Sequence, residues 1–81
     1  MKAHIVVTLK DGILDPQGKA ILHALGVLGF NDVVGVRTGK YFEIEMGLSS
    51  LPGAEPAVKA MCEKLLANTV IETYRVSFQP E

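Results

Sequence analysis

From Ala3 to Leu9 the chain alternates with a period of two, setting Ala3, Ile5, Val7 and Leu9 on one side and His4, Val6, Thr8 and Lys10 on the other. That is the pattern of a strand with one apolar and one mixed face. Lys10-Asp11-Gly12 breaks it, and Asp15-Pro16 predicts a helix start, a capping carboxylate followed by proline at the first helical position. Apolar residues then recur at Ala20, Ile21, Ala24, Leu25 and Leu28, a 3.6-residue stripe that Gly29 ends as a left-handed cap. Two short strand patterns follow, Val33 to Thr38 and Tyr41 to Met46, joined by a predicted hairpin at Thr38-Gly39-Lys40. In the second, Phe42, Ile44 and Met46 are expected inside and Tyr41, Glu43 and Glu45 outside.

Gly47 to Glu55, with two Ser, two Gly and Pro52, reads as an irregular connection. Pro56 is expected to open a second helix with a stripe of Val58, Met61, Cys62, Leu65 and Leu66, and Glu55, Lys59 and Glu63 on its solvated side. Val70 to Phe78 alternates again as a last strand. The order β-α-β-β-α-β predicts an α+β, ferredoxin-like fold: a four-stranded antiparallel sheet with both helices on one face. The bare face is expected to carry Val6, Tyr41 and bulky residues of the last strand, and to oligomerise through the sheet.

Eighty-one residues, 48% hydrophobic and 21% charged, describe residues 1–81 as a single domain small enough to gain from association. The net charge of -1 supplies no footprint for nucleic acid or an anionic membrane. A lone cysteine, Cys62, excludes an intrachain disulfide and a multi-cysteine metal cage. With no apolar run of about 20 residues and no leader pattern at Met1-Lys2-Ala3-His4, a cytoplasmic setting is expected.

Candidate chemistry is thin. Gly35 to Tyr41 has glycines and Lys40 but the wrong spacing for a phosphate loop, with Tyr41 where Ser or Thr belongs, and it joins two strands. Lys40-Tyr41-Phe42 matches a basic-aromatic RNA-binding strand for three residues only, beside the repelling Glu43 and Glu45. Those two glutamates share a solvated strand face, which gives no reason for their pKa values to part. His4 and His23 lie on different elements with no carboxylate at ligand spacing. Cys62 sits on an apolar stripe, where a thiol is a small hydrophobe. The loop after the first strand lacks the arginine of acylphosphatases. No catalytic residue, cofactor site or metal site is therefore expected.

Three segments carry a family resemblance. Val7 to Ala20, Leu28-Gly29-Phe30 with Val36 to Tyr41, and Met61 to Asn68 with Val70-Ile71-Glu72 and Tyr74-Arg75 together resemble the PurS family, in order and over nearly the whole chain. Thr69 stands where the family often has proline, and the resemblance is weakest at 47–55. It implies a non-catalytic small subunit of phosphoribosylformylglycinamidine (FGAM) synthase in purine biosynthesis. The implied partners are a second copy of the chain, as a homodimer or dimer of dimers, the ATP-dependent synthetase subunit and the glutaminase subunit, which it would bridge during ammonia transfer. Arg37, Lys40, Tyr41 and Arg75 are the interface candidates, since arginine and tyrosine are favoured at interface centres. A small-ligand regulatory module of the same fold is the alternative.

Overall fold

The computed structural model describes residues 1–47 and 51–79. Its elements run β1 (Lys2–Leu9), α1 (Pro16–Val27), β2 (Gly39–Glu45), α2 (Leu51–Met61), a π turn (Cys62–Leu66) and β3 (Glu72–Gln79). Among the described residues the sheet has three strands, in the order β2-β1-β3 with both pairings antiparallel. Among these residues no helix is long and apolar enough to cross a membrane.

The first strand behaves as its alternation predicts: Ala3, Ile5 and Val7 are fully buried, while His4 and Val6 lie on the opposite face. Against the apolar face, α2 and the π turn present Val58 and Cys62, which close one core cluster with Ala3, Ile5 and Val7. Phe42 and Ile44 from β2, and Tyr74, Val76 and Phe78 from β3, pack around its margin. The bulky residues of the last strand thus join the core and not the bare face. They share a side with Ala3, Ile5 and Val7, their partners across the ladder.

Three further expectations are corrected. The second helix begins at Leu51, five residues before Pro56, so part of the supposed irregular connection is helical; its residues 48–50 lie outside the described residues. Pro56 simply leaves one backbone acceptor without its usual amide partner. The helix ends in a turn widened to i→i+5, closed by the Ala67 amide on the Cys62 carbonyl at 2.9 Å. That extra residue rotates the stripe out of phase, so Leu65 is 82% exposed whereas Leu66 packs on the core. Val70 and Ile71 belong to a turn organised by Asn68, whose side-chain oxygen accepts from the Val70 amide at 3.2 Å; β3 starts only at Glu72.

The largest departure concerns α1 and the segment after it. The cap forms as read: the Asp15 carboxylate accepts from the Gly18 amide at 2.8 Å. The C-terminus closes with the amides of Gly29 and Phe30 on the carbonyls of Gly26 and Leu25, Gly29 taking φ +99°. Yet the helix makes no substantial contact with another element, and Gly18 is its one buried residue. Val33 to Thr38 forms no strand, and no hairpin joins it to β2. Gly39 does not adopt positive φ; it is the first residue of β2, opposite Thr8. Among the described residues, therefore, neither a fourth strand nor a second helix packed on the sheet is found.

Asp15 does more than cap. Its carboxylate also accepts from the Thr38 amide at 2.8 Å and the Thr38 hydroxyl at 3.0 Å, tying the two ends of the α1 excursion together. These bonds, the Thr38 amide first and the Gly18 amide next, hold its pKa below the ordinary 3.8. A carboxyl depressed on folding stabilises fully above its unfolded pKa and loses that contribution as pH falls through the lower folded value. Asp15→Ala is expected to lower Tm by about 5 °C at pH 7. The deficit should shrink when both proteins are melted below pH 4; an unchanged gap there would contradict the carboxylate's role.

Candidate functional site

The sheet face opposite α2 carries Lys2, His4, Val6 and Thr8 from β1. Glu45, Glu43, Tyr41 and Gly39 stand opposite them on β2, and Gln79, Ser77, Arg75 and Thr73 on β3. Period-two geometry puts these residues on one side, and no element covers them among the described residues. Val6 forms an apolar centre with Tyr41 and Arg75 on either flank.

Around Tyr41 the face is wired by polar contacts. Its hydroxyl donates to Glu43 at 3.1 Å and also meets His4 Nδ1, and the two rings stack with centroids 6.0 Å apart. His4 Nε2 reaches Gln79 Oε1 at 2.9 Å, so one imidazole links the two outer strands across β1. Lys2 lies 3.8 Å from the other Glu43 oxygen. Partial desolvation and the neighbouring Glu43 carboxylate push the Tyr41 phenol above its ordinary value, keeping it a neutral donor.

Arg37 stands at the C-terminal end of β1. Its guanidinium donates to the Leu9 carbonyl and lies 3.9 Å from Asp11. Lys10, Asp11, Arg37, Thr73 and Arg75 line an open hollow of about 410 Å³ at this end of the sheet. Among the described residues Arg75 makes no ion pair. It is separated from Glu43 and Glu45 by the width of β1, which keeps these charges from pairing across the sheet.

The four candidates thus divide. Tyr41 and Arg75 share the open face and Arg37 borders it, whereas Lys40 pairs with buried Val7 and points to the opposite side. There it lines a separate hollow with Asp15, Pro16, Gln17 and Glu72. The residue that sequence reasoning passed over is His4, set aside for want of metal-ligand spacing. Its role is to bridge strands, and only the cross-strand register reveals the partners.

Chemically this arrangement suits recognition. The face offers aromatic surface, the Arg75 guanidinium and hydrogen-bonding groups held by the sheet. Cys62 lies on the other side, fully buried, its thiol pushed up by burial and by the nearby Glu63 charge. A thiol so placed is a poor nucleophile.

Comparison with known proteins agrees with the segments quoted from the sequence. The model of the family described as "PurS: Phosphoribosylformylglycinamidine (FGAM) synthase" matches residues 2–80. The phosphoribosylformylglycinamidine synthase subunit PurS of Bacillus subtilis is 51% identical over 74 residues, covering 91% of this chain and 87% of its own length. The crystal structure of Methanocaldococcus jannaschii PurS superposes with a TM-score of 0.89 at 40% identity, covering 99% of this chain and 96% of that one. A chain of the PurLQS structure from Thermotoga maritima superposes at 0.86 with 33% identity, covering 94% and 93%. On identity, coverage and fold together, this chain belongs to the PurS family, whose members are subunits of phosphoribosylformylglycinamidine synthase.

Proposed function

We propose that the chain is a cytoplasmic, non-catalytic assembly subunit, a single domain over residues 1–81. In this reading it self-associates and bridges the glutaminase and ATP-dependent synthetase subunits of FGAM synthase in purine biosynthesis. Its part is alignment: ammonia released at one active site must reach another without loss to water, and holding the two in register makes that transfer effectively intramolecular. The observation that carries this reading is the uncovered face, where Val6 is flanked by Tyr41 and Arg75 on a sheet whose other side holds the core. Relatives named as subunits, and the likeness to a chain of PurLQS, support it.

The test is reconstitution with the synthetase and glutaminase subunits, comparing glutamine with free ammonia as nitrogen donor. Omitting this chain is expected to abolish glutamine-dependent amidation and to spare most of the ammonia-dependent rate; equal dependence for both donors rules out bridging. Arg75→Ala should weaken assembly roughly tenfold, the loss of one interface arginine, while Tm stays within a few degrees of wild type. Wild-type affinity in that variant would move the interface elsewhere.

A regulatory module is the second reading, favoured by the hollow that Lys10, Arg37 and Arg75 line together with Asp11. It requires a small anionic metabolite that raises Tm with concentration.

A further inference from the structure

Charge is unevenly spread along the open face. Its acids, Glu43 and Glu45, stand opposite His4 and Lys2 at the start of β1, whereas the hollow at the other end of that strand is bordered by Lys10, Arg37 and Arg75. Thr8, in the hollow, lies about 13 Å along β1 from His4, more than the screening length of about 8 Å at physiological salt. Glu72 is turned away: its carboxylate accepts from the Asn68 amide at 2.6 Å, and its place opposite Leu9 puts it on the core side of β3. Among the described residues Asp11 supplies the one carboxylate that lines the hollow. It is fully exposed and 3.9 Å from Arg37, beyond hydrogen-bonding distance.

The donors at the hollow come from three separate segments. Arg37 is anchored from the chain before β2, one guanidinium nitrogen donating to the Leu9 carbonyl that ends β1. That bond leaves most of its five N–H groups unspent. Lys10 follows β1 directly, and Arg75 stands on β3, both exposed. Beside them the Thr8 and Thr73 hydroxyls face each other across the ladder at 3.4 Å. Whichever of the two donates, the accepting hydroxyl keeps its own proton for a ligand.

We propose that this hollow binds the phosphate of a small phosphate monoester. Three cations against one carboxylate leave two positive charges, and a monoester carries about 1.5 to 2 negative charges at pH 7. A planar carboxylate has two oxygens and cannot meet Lys10, Arg37, Arg75 and the threonines together. A tetrahedral phosphate presents three terminal oxygens and can. The volume of about 410 Å³ falls within the roughly 300 to 1,000 Å³ of small-ligand sites, which leaves room beside the phosphate for a compact organic group. A nucleic-acid backbone fits poorly, because the chain as a whole carries a net charge of -1. This deepens the regulatory reading, on which it rests, by giving the ligand a chemical class.

The test is calorimetric titration of the full chain at fixed ionic strength, with ribose 5-phosphate as titrant and ribose and acetate as controls. Saturable binding of one ribose 5-phosphate per chain is expected, and none of ribose. Arg75→Ala and Lys10→Gln should each weaken it about tenfold, the loss of one charge-assisted contact. Lys59→Gln, on the exposed side of α2, removes the same charge elsewhere and should leave the affinity unchanged. A Kd above about 10 mM, an equal loss from Lys59→Gln, or acetate binding as tightly as the monoester would overturn the phosphate site. In the last case the regulatory reading survives with a carboxylate ligand. Ribose 5-phosphate binding that leaves the amidation rate of the assembled complex unchanged would instead remove regulation and support the site.

Discussion

Ile5→Ala is expected to remove about 3 kcal/mol of stability and to lower Tm by roughly 15 °C. Ile5 is fully buried at the centre of the middle strand, between Phe42 on β2 and Val76 on β3, in the cluster that holds Val58 and Cys62. Truncation loses the transfer free energy of three carbons and leaves a cavity that two flanking strands and a helix cannot collapse together. The total stability of a chain this length is on the order of 4 to 12 kcal/mol, so the loss takes a large fraction of it. Val6→Ala, one residue along on the open face, serves as control and should cost less than about 1 kcal/mol. Urea unfolding at one fixed protein concentration separates the two, because self-association makes apparent stability concentration-dependent. Equal losses for Ile5 and Val6 would mean that the core is not on the side assigned here.

Gly39→Ala should be nearly as damaging, at about 3 kcal/mol, though it adds only a methyl group. A Cβ there would lie 2.4 Å from the Val7 carbonyl oxygen and 3.0 Å from Thr8 Cγ2. The first of these is backbone in the ladder of β1, so the strands must separate at the point where β2 begins, and overpacking of this kind is relieved only by giving up pairing. Gly35→Ala is the contrast. Nothing lies within 4 Å of its Cβ and its φ is not in the left-handed region, so alanine should be neutral or stabilising by a few tenths of a kcal/mol. Thermal melts of the two variants side by side decide it; similar curves would show that the close approach at Gly39 is relaxed at no cost.

These glycines also show where a sequence stops being informative. Asp15-Pro16 and Gly29 announced a helix correctly because capping is local chemistry. The β1 alternation was legible because one face had to be wholly apolar. Gly39, by contrast, looks the same in one dimension whether it serves a hairpin's positive φ or a close backbone approach. Reading it as the former predicted a strand folded back on its neighbour. Leu65 was misplaced because a stripe counted at 3.6 residues per turn cannot register a π turn, and Val70 and Ile71 because their β-branched character outweighed the Asx turn set by Asn68.

At the candidate site the lesson differs. Tyr41 and Lys40 are neighbours in sequence, and period-two geometry alone should have put them on opposite sides; grouping them followed residue type over position. Arg75 alternates with the bulky last-strand residues expected on the bare face and stands there in their place, and its distance from Glu43 and Glu45 depends on strand order. His4 became interpretable only when the register brought Tyr41 and Gln79 to its two ring nitrogens.

The placement of β1 between β2 and β3 has a kinetic consequence. The first of the three described strands in chain order lies in the middle of the sheet, and its register with β3 pairs Lys2 with Gln79 and Leu9 with Glu72. Contacts so distant along the chain close large loops before they repay the entropy, which favours millisecond folding over the microsecond times of helical bundles. Until β3 emerges from the ribosome, Ala3, Ile5 and Val7 sit on a strand with an unfilled ladder, the kind of edge that other nascent chains can join.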